Sequence, residues 1–144
     1  MNPKKRRKAR EYIVKALYTW QISNNDILDV ENQYLQIINT KKVEIKYFHE
    51  LITNISINVK NIDKKIQLYL SRKKHTLGQI DKAILRLAFY EIYYRKDIPY
   101  KVSMNEGIEL AKLFGAQNSH KFINGVLHQA SKHIRINNQQ DTKL

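Results

Sequence analysis

The sequence has no cysteine, and it has only four glycines and two prolines among its 144 residues. Without cysteine the chain can form no disulfide, no thiolate metal site and no cysteine nucleophile, which is typical of a reducing compartment. The scarcity of glycine and proline argues against a turn-rich β-sandwich or a low-complexity chain. No apolar run approaches the roughly 18 residues of a membrane span, and Glu11 and Lys15 interrupt any signal peptide. These absences predict a cytoplasmic globular protein.

Acidic residues are also scarce relative to basic ones. The chain carries 26 Lys and Arg against 13 Asp and Glu, for a formal net charge of +13. Such a charge favours a polyanionic partner, because Lys and Arg release condensed counterions when they bind phosphate. Lysine outnumbers arginine 19 to 7, however, and biased codon usage would also inflate the charge. The positions of the charges therefore carry more weight than their sum.

A basic run near the N-terminus is the strongest local feature. Residues 4–10 hold six cationic side chains and no acidic one. The run continues into a segment with apolar residues at helical spacing: Ala9, Ile13, Ala16, Leu17 and Trp20. This pattern predicts a helix that holds positive charge in a defined place. The alternatives are a solvated, disordered arm or a targeting signal of the nuclear type.

Apolar periodicity predicts seven helices with short connectors and no strand, an all-α domain that extends to about residue 136, followed by a polar tail at 137–144. The helices are expected over about residues 3–23, 29–38, 43–59, 61–70, 77–96, 103–114 and 119–134. Asp29 is the expected N-cap of the second helix, and Ser103 with Glu106 fits a capping box. Gly115 is expected to end the sixth helix in a left-handed conformation.

Nothing in the sequence points to catalysis. It has no glycine-rich phosphate loop, no GxSxG or HExxH motif, and no two histidines at the i, i+4 spacing of a helical metal site. Glu106 and Glu109 share a helix face, but Glu106 has an expected capping role and Glu109 pairs with Lys112. We therefore expect a binding protein without enzymatic activity, metal or other cofactor.

Aromatic and cationic side chains outside the buried stripes are the candidates for binding. Tyr18 falls on the side of the helix reached by Lys8, Glu11 and Lys15, and aromatic rings next to cations are how single-stranded nucleic acid is usually held. The alternative for Tyr18 is a half-buried core residue with its hydroxyl in water. A similar alternative, plain core packing, applies to Phe122.

Two further groups of cations join these candidates. Lys82 and Arg86 lie one turn apart on the fifth helix, away from its apolar stripe. Lys121 lies in the first turn of the last helix, where free N–H groups and the helix dipole favour phosphate.

Several segments spread over the chain form one recognisable pattern. They include Arg-Arg-Lys-Ala-Arg-Glu at 6–11, Ala-Leu-Tyr-Thr-Trp-Gln at 16–21, residues 77–86 and 98–102, and Lys-Phe-Ile-Asn-Gly-Val-Leu at 121–127. Together they resemble the bacterial NusB family of transcription antitermination factors. The resemblance extends from the first residues to about Arg135.

The resemblance implies a seven-helix, NusB-like fold of two packed three-helix-type sub-bundles, over about residues 4–59 and 61–134. It implies binding to single-stranded boxA RNA of ribosomal RNA leader transcripts, together with NusE, a ribosomal protein of the small subunit. NusA, NusG and RNA polymerase would complete a complex that reads through terminators.

Residue by residue, the resemblance implies RNA contacts at matching positions, to which the start of the last helix adds Lys121. The full set of candidates is Arg6, Arg7, Lys8, Arg10, Tyr18, Lys82, Arg86, Lys121, Phe122 and Asn124. Lys8 stands where arginine is common, and it keeps the charge but lacks the bidentate fork. Asn118 stands where an acidic residue is frequent, which should favour RNA slightly. The NusE-facing surface would include Tyr69, His75 and Asp81.

Two other functions are compatible with the residues. One is a protein-binding helical scaffold whose basic end is a solubility or targeting device. The other is an RNA-binding domain that acts in trans with a ribosomal RNA methyltransferase, since the same fold occurs in such enzymes. The chain ends at Leu144 without a methyltransferase domain, which favours the non-enzymatic interpretation. A monomer and a homodimer are both compatible with the sequence.

Overall fold

The computed structural model describes residues 2–70, 77–115 and 119–142, with side chains up to residue 134. Within these ranges the chain forms seven α-helices and no strand, which confirms the predicted all-α fold. The helices are α1 (Pro3–Ser23), α2 (Ile27–Leu35), α3 (Ile45–Ile57), α4 (Val59–Gln67), α5 (Gln79–Tyr94), α6 (Tyr100–Phe114) and α7 (Ser119–Thr142). Among the described residues, no helix is both long and apolar enough to cross a bilayer.

Helix α5 lies at the centre of the molecule, packed against α1, α3, α4, α6 and α7. The periodicity predicted one inward stripe, yet all residues from Ala83 to Ile92 are buried. A helix covered on every side also buries its charged residues, which have to be paired. Arg86 and Glu91 are the buried charges of α5, and each forms an ion pair with another helix.

Helix α1 begins where it was predicted, at Pro3, and Asn2 caps it. The Asn2 side-chain oxygen accepts hydrogen bonds from the backbone N–H groups of Lys4 and Lys5, at 3.0 and 3.3 Å. The carbonyl oxygen of Lys5 accepts a hydrogen bond from the backbone N–H of Glu44 at 3.1 Å, which attaches this end to the start of α3. The alternative of a disordered basic arm is therefore wrong.

Contacts at both ends show that α1 runs antiparallel to α5. Near the start of α1, Arg10 binds Glu91, which lies near the end of α5. Near the end of α1, the Gln21 amide donates to the Gln79 carbonyl oxygen at the start of α5. The C-terminal half of α1 and the N-terminal half of α5 therefore lie at the same end of the molecule.

Several predicted helix boundaries differ from those observed. The N-cap of α2 is Asp26 rather than Asp29, which lies in the first turn. Helix α6 starts at Tyr100, so the predicted capping box is wrong: Ser103 lies buried inside the helix. Pro99, whose φ is −57°, directs the chain into α6 a turn earlier than Ser103 could. Helix α7 continues past Ile134 to Thr142, into the segment expected to be a tail.

The prediction of a left-handed Gly115 is also wrong, because its φ of −80° and ψ of 167° are extended. Glycine is required there for space. A Cβ at this position would lie 2.6 Å from the Ser119 Cβ and 2.7 Å from the Ala111 carbonyl oxygen. Gly115 thus lets the end of α6 approach the start of α7 closely.

Helices α1, α2 and α3 pack against one another, as do consecutive helices from α4 to α7. One hydrophobic cluster extends through both groups. The most deeply buried large side chains come from both groups and include Phe48, Leu51, Ile84 and Phe89. The described part of the chain therefore has a single continuous core.

Candidate nucleic-acid interface

One side of α1 carries exposed cations of the basic run. Lys4, Lys8 and Lys15 are exposed, and their separations of four and seven residues align them along the helix, with Arg7 beside them. We call Lys4, Arg7, Lys8 and Lys15 the cationic face. Lys8 is 3.0 Å from Glu11, but its side chain is 55% exposed. The positive end of the helix dipole adds to these charges, so the face is suited to anions.

Arg10 lies on the opposite, buried side of α1. Its Nε donates to the Glu91 Oε2 at 2.8 Å, and its NH1 lies 3.8 Å from the Glu106 Oε1. The Tyr47 hydroxyl donates to the same Glu91 oxygen. Burial, reinforced by the charge of Glu91, raises the pKa of Tyr47 far above its ordinary value, so the phenol keeps its proton. The position of Arg10 therefore fits a structural ion pair rather than the predicted RNA contact.

Arg6 is also engaged inside the protein. Its Nε and NH2 donate to the two carboxylate oxygens of Glu44, at 3.0 and 2.8 Å. Its guanidinium lies 4.0 Å from the centroid of the Tyr47 ring. A stacked and bidentate arginine is held in one orientation. Because only 12% of the side chain is exposed, Arg6 offers little surface to a nucleic acid and mainly joins α1 to α3.

Of the three arginines in residues 6–10, Arg7 alone has an exposed side chain, at 63%. Its Nε and NH2 donate to Glu106 at distances of 3.0 to 3.3 Å. This hydrogen-bonded pair raises the pKa of Arg7. Glu106, which was predicted to cap α6, thus joins α6 to α1. The rest of the Arg7 guanidinium is accessible to a phosphate.

Tyr18 extends the cationic face by one turn beyond Lys15. It is half-buried, and it is not among the half-buried residues that pack against the hydrophobic core, unlike its neighbours Tyr12 and Trp20. The Lys15 Nζ lies 4.8 Å from the centroid of the Tyr12 ring. An aromatic ring outside the core, next to exposed cations, favours the binding interpretation of Tyr18.

Arg86 does not extend this face as predicted. Its Nε and NH2 donate to the two oxygens of Asp63 at 3.0 and 2.8 Å, and its NH1 donates to the Gln21 Oε1 at 3.1 Å. Only 10% of the side chain is exposed. Arg86 therefore joins α5 to α4 and α1. Lys82, one turn earlier, is half-buried.

An open cleft of about 320 Å³ lies where the end of α1 meets the start of α5. Its lining contains one aromatic residue, three side-chain amides and two cations. These residues are Trp20, Gln21, Asn24, Gln79, Lys82 and Arg86.

The start of α7 presents three of the predicted RNA-binding residues to solvent. Lys121, Phe122 and Asn124 are all exposed, so the core alternative for Phe122 is wrong. The Ser119 hydroxyl lies 3.5 Å from the Asp81 Oδ2, which places this end of α7 at the start of α5.

Two of the predicted partner-binding residues, Tyr69 and Asp81, are half-buried. The Tyr69 hydroxyl lies 3.0 Å from the His133 Nδ1 and 3.5 Å from the Tyr93 hydroxyl, so Tyr69, two residues after the end of α4, contacts α7 and α5. Asp81 is half-buried in the first turn of α5, and its Oδ1 has no hydrogen-bond partner among the described residues. His75 and Asn118 lie outside the described residues.

Asp81 is expected to make stability depend on pH. Burial raises the pKa of this carboxyl, and the hydrogen bond with Ser119 offsets only part of the shift. A raised pKa means that the folded chain holds the proton more tightly than the unfolded chain, so ionisation of Asp81 costs stability as the pH rises. Asp81→Asn should therefore raise the free energy of unfolding at pH 7, and because solvent screens the charge of a half-buried carboxyl, the gain should be less than about 1 kcal/mol.

Urea unfolding at pH 7 and at about pH 3, where the wild-type carboxyl is also largely protonated, measures this effect. The gain should disappear at the lower pH. Asp29→Asn is the matched control, because Asp29 lies exposed in the first turn of another helix. A loss of stability at pH 7, or an equal gain at both pH values, would contradict the assignment.

Sequence reasoning missed the residues that hold the arginines. Glu44, Glu91 and Glu106 are separated from their arginine partners by 38, 81 and 99 positions, and the ring of Tyr47 lies under two of those arginines. No local pattern predicts pairs at such separations. Helical spacing could have indicated only that Arg10 is buried, because it lies three residues before the buried Ile13 and therefore on the buried stripe.

Two histidines take part in contacts between helices. His49 on α3 binds Glu31 on α2, and His133 on α7 binds Tyr69 near the end of α4. Within the part of the chain that the structure describes, no group of three His, Asp or Glu side chains could hold a metal ion.

Known proteins resemble this chain over most of its length. A model of the NusB family matches residues 7–132. Relatives named transcription antitermination protein NusB include that of Proteus mirabilis, which is 53% identical over 135 residues and covers 94% of this chain and 98% of the relative. The NusB proteins of Erwinia tasmaniensis and Escherichia coli are 54% and 53% identical over 137 residues, covering 95% of this chain and 99% of each relative.

Solved structures show the same architecture. The chain aligns with the NusB structure of T. maritima with a TM-score of 0.78 and 33% identity, over 91% of this chain and 92% of that one. It also aligns with a structure of antitermination factors NusB and NusE in complex with dsRNA, with a TM-score of 0.75 and 22% identity. That alignment covers 88% of this chain and 96% of the other, and it supports the fold.

Proposed function

Because the chain belongs to the NusB family, we propose that it is an RNA-binding transcription antitermination factor. Relatives that match over almost their whole length are named as antitermination proteins. The structural observation that carries the proposal is the cationic face of α1, which is exposed along a helix whose N-terminus is capped by Asn2.

The cationic face is suited to the RNA backbone. Lys4 and Lys15 are separated by about 16 Å along the helix axis, at a rise of 1.5 Å per residue. This length can accommodate several consecutive phosphates, with Arg7 and Lys8 between the two ends. Phosphate contacts of this kind supply affinity and position the strand, but they do not read the sequence.

Aromatic and polar residues beside the cationic face would contact the bases. Tyr18 offers a ring for stacking, and Lys121, Phe122 and Asn124 offer a second exposed group at the start of α7. Stacking requires unpaired bases, so these side chains favour single-stranded RNA. Arg6, Arg10 and Arg86 hold the scaffold from inside rather than contacting RNA.

We infer further that the RNA is the boxA element of ribosomal RNA leader transcripts and that NusE binds with it. A similar solved structure contains NusB, NusE and dsRNA together, which supports NusE and RNA as partners; the preference for a single strand rests on the exposed aromatic side chains. NusA, NusG and RNA polymerase would join them in the cytoplasm on the growing transcript. The function we propose is binding, with no catalytic step.

A gel-shift titration of boxA RNA with and without NusE tests the proposal. The chain with NusE should bind the single strand more tightly than a scrambled strand or a duplex of the same sequence. The logarithm of the affinity should fall with the logarithm of the salt concentration with a slope of about −3, for four phosphates neutralised on a single strand. A slope near zero, with no preference for boxA, would favour a protein-binding scaffold. Copurification with a methyltransferase rather than NusE would favour an RNA-binding domain that acts in trans with a ribosomal RNA methyltransferase.

Tyr18→Ala is expected to lower the affinity for boxA RNA by about 1–2 kcal/mol, as for the loss of one stacked base. Far-UV circular dichroism should be unchanged, because Tyr18 does not pack against the hydrophobic core. Tyr94→Ala is the matched control. Tyr94 is also partly exposed, at 38%, but it lies at the C-terminal end of α5, whereas Tyr18 lies near the N-terminal end of α5. Equal affinities for the two variants would mean that Tyr18 does not contact RNA.

A further inference from the structure

The cleft between α1 and α5 adjoins the cationic face. Gln21, which lines it, is three residues after Tyr18, and residues three apart are neighbours on a helix surface. The volume of about 320 Å³ is at the lower end of the roughly 300–1,000 Å³ typical of small-ligand pockets. A strand that follows the cationic face towards the end of α1 would therefore reach the cleft.

The lining chemistry suits a planar ligand with hydrogen-bonding edges. Trp20 is half-buried and supplies an indole ring, and the Arg86 guanidinium lies 5.8 Å from the ring centroid. Side-chain amides from Gln79 and Asn24 can both donate to and accept from the edge of a base. Among the described residues that line the cleft none is acidic, so it fits an uncharged or anionic group better than a metal ion.

Hydrogen bonds within the lining hold one amide in place. The Gln21 Nε2 donates to the Gln79 carbonyl oxygen at 2.9 Å and to the Gln79 Oε1 at 3.1 Å. The Gln21 Oε1 accepts from the Arg86 NH1 at 3.1 Å. With its Oε1 already accepting, Gln79 is oriented to present its Nε2 donor, and a pre-oriented donor loses little entropy on binding.

We propose that this cleft binds one unpaired nucleobase of the RNA, with stacking on Trp20 and a hydrogen bond from Gln79. The inference rests on the proposed function and adds a base-reading site to it. Phosphate contacts on the cationic face tolerate any sequence, whereas a hydrogen bond to a base edge discriminates between bases. The cleft would thus contribute sequence preference at one position of the strand.

Trp20 is the single tryptophan of the chain, so its fluorescence reports on the cleft directly. The probe is boxA RNA with each nucleotide in turn replaced by an abasic one, added to the chain with NusE. We expect the intact RNA to quench Trp20, after correction for any tryptophan of NusE, and one abasic position to abolish most of the quenching. Inorganic polyphosphate, which has charges but no bases, should leave the fluorescence unchanged.

Gln79→Ala is the matching variant, because Gln79 is exposed and its loss leaves the hydrophobic core intact. It should weaken RNA binding about fivefold, the loss of one hydrogen bond, and reduce the difference in affinity between the intact RNA and the sensitive abasic RNA, of which only the stacking on Trp20 would remain. Gln33→Ala, an exposed glutamine on α2, is the control and should change neither.

Three results would overturn the proposal. If the gel shift shows RNA binding and Trp20 does not respond, the cleft holds no base while the proposed function stands. If no RNA binds, the proposed function fails and the cleft proposal fails with it. If NusE alone changes Trp20 fluorescence as much as NusE with RNA does, the cleft belongs to the protein partner.

Discussion

Replacing Arg10 with alanine is expected to lower the free energy of unfolding by about 3–5 kcal/mol, the cost of breaking a buried ion pair. Arg10 is 3% exposed and Glu91 is 1% exposed, so the variant leaves a carboxylate without its counterion inside the protein. Tyr47 would still donate one hydrogen bond to Glu91 but cannot neutralise its charge. A loss of this size is a large share of the roughly 5–15 kcal/mol that stabilises a typical domain.

Urea unfolding followed by far-UV circular dichroism measures the loss. Arg7→Ala is the control. The Arg7 side chain, which pairs with Glu106, is 63% exposed, so its replacement should lower the free energy of unfolding by about 1 kcal/mol or less. Glu91→Gln added to Arg10→Ala should recover part of the stability, because the neutral amide still accepts from Tyr47. An Arg10→Ala variant that unfolds at the wild-type urea concentration and binds RNA poorly would show instead that Arg10 contacts RNA.

Replacing Lys4, Lys8 and Lys15 together by glutamine is expected to have the second large effect, a loss of affinity for RNA. These three side chains are exposed on the cationic face, so the fold should be retained. The salt slope should become shallower by up to about 2, and the affinity at 0.05 M salt should fall by about two orders of magnitude. Gel shifts over a range of salt concentrations measure both quantities.

Lys60, Lys64 and Lys132 provide a control with the same change of net charge. They are exposed on α4 and α7, away from the cationic face. Their replacement by glutamine should lower the affinity only through the net charge, an effect that is largely screened by salt beyond about 10 Å. Equal losses for the two triple variants would mean that RNA binds by overall charge and that the cationic face has no special role.

These two predictions separate cations that are consecutive in the sequence. Residues 4–10 form one uniform basic run. In the folded chain Arg6 and Arg10 pack against Tyr47 and neutralise buried or half-buried carboxylates, while Lys4, Arg7 and Lys8 face solvent. A charge on a helix can therefore be structural or functional depending on the side of the helix where it lies.

The sequence predicted the helices well because each helix has a local cause. Apolar spacing and the position of Pro3 were sufficient to predict the start of α1, and Asn24 ends this helix in the left-handed conformation. The predictions of which residue caps a helix end were less successful. Ser103 lies inside α6, and Gly115 is extended because a close approach to Ser119 requires it, which a local pattern does not reveal.

The sequence by itself determined the all-α fold, the membership of the NusB family and the presence of a basic helix that packs into the core. Those properties follow from periodicity, composition and motifs that are read along the chain. Only the tertiary structure decided which cations are available to RNA. Their carboxylate partners come from α3, α5 and α6, 38 to 99 positions away, and the burial of a charge depends on what packs against it.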